Sequence, residues 1–68
     1  MAYNYKIRLK QYRKSQHLTL IELSEKTWIS KSTLSRIERG EIDPHLSAVV
    51  NLAKYFGCEL SEFVEITE

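Results

Sequence analysis

LTLIELSEKTWISKSTLSRIERG, residues 18–40, reads as two short helices joined by a tight turn. Thr19 can accept from a backbone N–H at a helix start, and Glu22 follows three residues on, the spacing of a capping box. Leu20, Ile21 and Leu23 supply the apolar part of that first helix. Ser30 has the chemistry of a second N-cap. Beyond it only Leu34 and Ile37 form an apolar edge, while Lys31, Ser32, Thr33, Ser35 and Arg36 can all donate hydrogen bonds. Gly40 supplies a left-handed stop. The second helix can therefore dock by a narrow edge and keep a polar face free.

The rest of the chain extends this reading. Tyr5, Leu9 and Tyr12 fall at i, i+4 and i+7, which predicts a helix over Asn4 to Gln16 with Ile7 off its stripe. The next two helices are expected at Leu20–Lys26 and Lys31–Glu38. Gly40 and Pro44 mark the loop that follows. A fourth helix, Leu46 to Phe56, is expected to bury Leu46, Val49, Val50, Leu52, Ala53 and Phe56, with Gly57 closing it. A short fifth, Leu60 to Val64, points Leu60 and Phe63 inward. No strand pattern competes, so the expected fold is all-α: five compact helices in one domain over 1–68, with a core over 5–64 and a tail at 65–68.

Sixty-eight residues, 43% of them hydrophobic with two Gly and one Pro, suit a single small helical domain better than a disordered chain. One Cys cannot form an internal disulfide. No apolar run approaches the roughly 18 residues of a membrane span, and the opening MAYNYKIRLKQYRK lacks the apolar stretch of a signal peptide. A cytoplasmic location without membrane association is the expectation.

Net charge is only +1, but it is polarised. Residues 1–40 hold nine Lys/Arg against three Glu, net +6; residues 41–68 hold Lys54 against six acids, net −5. A basic half attracts phosphate, and an acidic far side disfavours binding in the wrong orientation.

The central stretch resembles the helix-turn-helix domain of the phage-repressor type, the Cro/Xre-like family, whose core phrase is similar to S-x-x-x-L-A-x-x-x-G-V-S-x-S-T-I-S-x-I-E-x-G-x-x-x-P. Thr19, Leu23, Ser24, Ile29, Ser30, Ser32, Thr33, Leu34, Ser35, Ile37, Glu38, Gly40 and Pro44 carry the match, and the similarity runs from about Tyr5 to Val64. The resemblance implies a lambda-repressor-like fold whose third helix docks in the major groove, about 12 Å wide. It implies base or phosphate contacts for Lys31, Ser32, Thr33, Ser35 and Arg36, backbone clamping beside Gly40 by Arg39, and contacts at the helix starts Thr19 and Ser30. Arg36 stands out because its fork can donate twice to guanine. Arg13 and Glu38 look like the family's internal ion pair, which makes Arg13 structural.

Two departures from the pattern stand out. Leu20 replaces a Gln that reaches a phosphate, so one contact is absent and Leu20 is a candidate for exposure. Trp28 stands where the turn favours Gly, and Thr27 replaces an apolar residue before it. The expectation is that Trp28 folds over the apolar gap left by Thr27; a distorted turn, or an exposed ring that meets a partner, are the alternatives.

The remaining reactive residues form no catalytic constellation. Cys58 falls at an apolar position, and His17 and His45 lack ligand spacing, so no catalytic residue, metal or cofactor is expected. The resemblance thus implies a sequence-specific regulator, a repressor in type, that binds double-stranded DNA as a homodimer on a palindromic operator. Leu60, Phe63, Val64 and Ile66 are the residues available for a dimer contact; their pattern is equally consistent with a monomer that buries Leu60 and Phe63 and leaves the rest in solvent. The alternative is an antitoxin or restriction–modification controller that binds a partner protein as well as DNA.

Overall fold

In a computed structural model, which describes residues 4–67, the elements run β1 (Asn4–Ile7), α1 (Leu9–Ser15), α2 (Leu20–Thr27), α3 (Lys31–Glu38), α4 (Leu46–Phe56), α5 (Leu60–Phe63) and β2 (Val64–Thr67). Five helices surround one core. Leu9, Leu23, Leu34, Leu52 and Phe63 are fully buried there, joined by Ile37, Val49 and Ala53. Each helix places one stripe inward, so the chain closes with about one or two large side chains per helix.

The expected all-α fold needs correction at both ends. Asn4–Ile7 is not the first turns of a helix but a strand, paired antiparallel with Val64–Thr67 in the register Asn4↔Thr67, Tyr5↔Ile66, Lys6↔Glu65 and Ile7↔Val64. Tyr5 belongs to both a period-of-four stripe and a period-of-two alternation with Ile7, and only the distant partner decides between them. Pairing puts Tyr5, Ile7, Val64 and Ile66 on one face of the ribbon and Asn4, Lys6, Glu65 and Thr67 on the other. An Arg8–Glu65 ion pair at 3.1 Å and the Arg8 N–H donating to the Phe63 carbonyl at 2.9 Å fasten the ribbon to the helices. The tail expected from residue 65 is therefore strand through Thr67; Glu68 lies outside the described residues.

Helix ends follow the local chemistry. α1, α3 and α4 each stop with a left-handed residue and a pair of crossed backbone bonds. For α1 these are His17 N–H to Lys14 and Leu18 N–H to Arg13; for α3, Gly40 to Ile37 and Glu41 to Arg36; for α4, Gly57 to Lys54 and Cys58 to Ala53. Gly40 and Gly57 were legible as stops. His17, with φ 57°, was not, because the same bonds are made there by a residue with a Cβ.

Three side chains expected inside lie outside. Leu46 is 68% exposed, and Val50 and Leu60 are also exposed. Leu46 and Val50 are one turn apart on the outer side of α4, which buries Val49, Leu52 and Ala53 instead. Phe56 is half-buried in an aromatic cluster with Tyr12 (centroids 5.6 Å apart) and Phe63 (6.2 Å), and Tyr12 meets Phe63 at 5.7 Å. Burial and neighbouring Cys58 raise the Tyr12 phenol above its ordinary value.

Phe63 joins α5, β2 and the aromatic cluster, whereas its neighbour Leu60 contributes little. Phe63→Ala should cost about 3–5 kcal/mol, most of the stability a chain this short can have. Leu60→Ala should stay within about 1 kcal/mol. Urea unfolding followed by circular dichroism measures both, and equal losses would contradict the burial assigned to the two positions.

Candidate nucleic-acid interface

The exposed face of α3 is built from its caps upward. The Ser30 hydroxyl oxygen accepts from the Thr33 N–H at 3.1 Å and donates its own proton to Thr33 Oγ1 at 2.8 Å. Leu34 and Ile37 are buried and hold the helix to the core. Lys31, Ser32 and Arg36 are exposed, while Thr33 and Ser35 are half-buried at the flanks. Among the described residues neither Lys31 nor Arg36 makes an ion pair, so both cations face solvent uncommitted.

Thr19 opens α2 with a complete capping box: its Oγ1 accepts from the Glu22 N–H at 3.1 Å, and Glu22 Oε1 accepts from the Thr19 N–H at 2.9 Å. Those bonds to the charged form hold the Glu22 carboxyl below its ordinary value. Arg39, at the far end of α3, pairs with Glu41 through Nε at 2.7 Å. Leu20, a candidate for exposure, is half-buried against the core instead.

The expected Arg13–Glu38 pair is present. Arg13 Nε donates to Glu38 Oε2 at 2.6 Å and its amino groups to Glu38 Oε1 at 3.1 Å and the Leu18 carbonyl at 2.8 Å. The side chains are only 14% and 7% exposed. This forked bond raises the guanidinium further above its ordinary value and ties α1, the α1–α2 turn and the end of α3 together. Arg13 is thus committed internally.

The turn differs from expectation. Trp28 does not fold inward; it is 94% exposed. Nor is the turn distorted, since Trp28 takes the left-handed conformation a Gly would take, φ 62° and ψ 20°, and caps α2 through its N–H to Ser24. Thr27 leaves no gap to fill. It is itself buried, its hydroxyl satisfied by the Leu23 carbonyl at 2.8 Å, a back-bond within the helix. Its own carbonyl accepts from Asn51 Nδ2 at 3.1 Å, which braces the turn against α4. Nothing in the sequence announced that contact. The same holds for Tyr5, whose hydroxyl donates to Asp43 across the pocket between β1 and the α3–α4 loop. Bonding to that carboxylate raises the Tyr5 phenol.

The helix-turn-helix family model, HTH_3, matches residues 9–63. The chain belongs to that family. It is a family of DNA-binding transcription regulators, and the elements described above are its helix-turn-helix. An uncharacterized HTH-type transcriptional regulator of Methanocaldococcus jannaschii is 37% identical over 57 residues, covering 84% of this chain and 86% of that protein. The immunity repressor of Bacillus phage phi105 is 39% identical over 57 residues, but the match spans only 40% of the repressor. Among solved structures, an HTH_3 family transcriptional regulator from Vibrio cholerae superposes with a TM-score of 0.72 at 35% identity, over 79% of this chain and 30% of that one. The transcriptional regulator VanUg superposes over 100% of this chain and 92% of its own at a TM-score of 0.75; at 20% identity the likeness is one of fold. The family match begins at Leu9 and ends at Phe63, so β1 and β2 flank it. None of the described helices is long and apolar enough to cross a membrane.

The capping box gives a pH signature. Because the folded-state value of Glu22 is depressed below 4.5, its contribution is complete above that pH and is lost as pH falls through the folded value. Thermal unfolding from about pH 5 down to about pH 3 should therefore show a shallower fall in Tm for Glu22→Gln than for the wild type. Parallel curves would show that the carboxylate adds nothing to the cap.

Proposed function

We propose that this protein is a sequence-specific transcriptional regulator, a repressor in type, that inserts the N-terminal half of α3 into the major groove of double-stranded DNA. The observation that carries the reading is the division of α3: two buried apolar residues on one edge, and uncommitted Lys31, Ser32 and Arg36 on the other. Arg36 reads a guanine through two donors, Lys31 a base or a phosphate, and Ser32 and Ser35 shorter-range base edges. Thr33, Thr19 and Ser30 sit at helix starts, where hydroxyl and backbone N–H groups suit phosphate. Arg39, beside Gly40, clamps the DNA backbone with the donors its pair with Glu41 leaves free. The phage immunity repressor among its relatives supports the repressor role.

The reading includes a homodimer on a two-fold operator, since one such domain contacts a single half-site. Phe63 is withdrawn from the expected contact because it is fully buried. Leu60, Val64 and Ile66 remain, and Tyr5, Ile7 and Leu46 join them around a groove of about 660 Å³. Ile66, 74% exposed, projects from the apolar face of the ribbon. A second copy that supplies the same apolar face would cover these side chains.

Selection from a random duplex library at about 150 mM salt tests the reading, since nonspecific phosphate attraction is weak there. The expected result is a two-fold motif with half-sites about one helical turn apart. Arg36→Ala should relax one position in each half-site, losing about 1–3 kcal/mol of discrimination. Failure to enrich any motif would overturn the sequence-specific role, and a one-sided motif would overturn the dimer.

A further inference from the structure

The backbone of Trp28 caps α2, but the fold gives no internal account of its ring. A bulky residue in the left-handed region crowds its Cβ against the following carbonyl, and packing normally compensates such strain. Here the ring is 94% exposed and, among the described residues, stacks on no other aromatic ring. Its bond to Ser24 is made by the backbone N–H alone and would survive in any non-proline residue. His17 shows that a left-handed cap alone needs no partner; a large indole left almost wholly in solvent directs attention to one.

The path of the chain indicates which partner. Ile29 packs against the core, and Ser30 then runs extended into α3, with φ −62° and ψ 147°. Trp28 and Ser30 thus stand on the outer side of the connecting segment and line one shallow depression with Ser24, Glu25 and Ile29. Lys31 and Ser32, exposed at the leading end of α3, come next. Within three residues of Trp28 on either side, Lys26 and Lys31 outnumber Glu25. Trp28 stands three residues before Lys31, so a groove that took in that end of α3 would bring its sugar–phosphate wall within reach of the ring. Such a wall offers deoxyribose C–H groups to the ring and phosphate oxygens to the indole N–H.

We propose that Trp28 is an additional DNA-contact residue, which packs its ring on the wall of the groove that α3 enters and donates its Nε1–H to a phosphate oxygen. The assignment rests on the DNA-binding reading above. It also explains why the turn carries a strained aromatic in place of a glycine: the substitution exchanges stability for contact.

Trp28 is the only tryptophan in the chain, so its emission reports on this position alone. A fluorescein-labelled duplex of about 20 base pairs carrying the selected motif is titrated with the full chain. Anisotropy reports binding, and acrylamide, a neutral quencher, reports access to the indole. The acrylamide quenching constant should fall at least about twofold in the saturated complex, because the ring leaves solvent. Trp28→Gly should weaken duplex binding about tenfold, roughly 1.4 kcal/mol, while its Tm rises, since glycine takes the left-handed turn without strain. Trp28→Asn, which also tolerates that conformation, should weaken binding to a similar degree. Opposite movement of stability and affinity is a result that a structural role alone does not give. A saturated complex whose quenching matches the free protein, or a Trp28→Gly variant that binds equally well, would overturn the proposal and leave the ring as a surface for a protein partner. If the wild type gives no anisotropy change, the DNA-binding reading itself fails and this assignment falls with it.

Discussion

Everything that α3 can present depends on how little of it is held. Two side chains, Leu34 and Ile37, enter the core, and Glu38 at its end takes a forked bond from Arg13. An eight-residue helix is too short to persist alone in water, so tertiary contacts must fix it. A wider apolar edge would hold it more firmly but would consume the face that carries Lys31, Ser32 and Arg36. The ion pair resolves that conflict. It adds a directional anchor from α1 without using the exposed face, and the Leu18 carbonyl takes a further Arg13 donor that a carboxylate alone would leave unused.

The other elements orient this unit. Asn51 ties the α2–α3 turn to α4 through the Thr27 carbonyl, and Ser30 and Thr33 close the first turn of α3 with each other's hydroxyls. The ribbon pairs Asn4–Ile7 with Val64–Thr67 and adds an apolar face outside the span of the family match. A two-stranded ribbon has little stability of its own. Its attachment through Arg8, Glu65 and the Phe63 carbonyl is what makes it part of the body.

Local chemistry made most of the helix-turn-helix legible. The Thr19–Glu22 box, the Ser30 cap and the Gly40 and Gly57 stops involve residues at most five apart, and each is where the side-chain types place it. Arg13–Glu38 spans 25 positions and was reached only through the family resemblance. What sequence could not supply was pairing between elements distant along the chain. Tyr5 and Ile7 became strand because Ile66 and Val64 lie opposite, and Leu46, Val50 and Leu60 are exposed because α4 and α5 turn Val49, Leu52, Ala53 and Phe63 inward instead. Trp28 was misplaced for a different reason: an expected gap beside Thr27 was already closed by the threonine itself. The candidate contacts are polar, exposed or flanking residues of known type, but their roles are set by a nucleic-acid surface outside the chain.

The most direct test of the central claim is a ¹⁵N–¹H NMR titration of the labelled protein with the selected duplex. Amide shifts at saturation should concentrate at Thr19, at the segment from Trp28 to Arg36, and beside Gly40. Amides of Val64–Thr67 and of the outer face of α4 should be unaffected by the DNA itself. Shifts centred on the ribbon or α4, with the first turns of α3 silent, would contradict that claim.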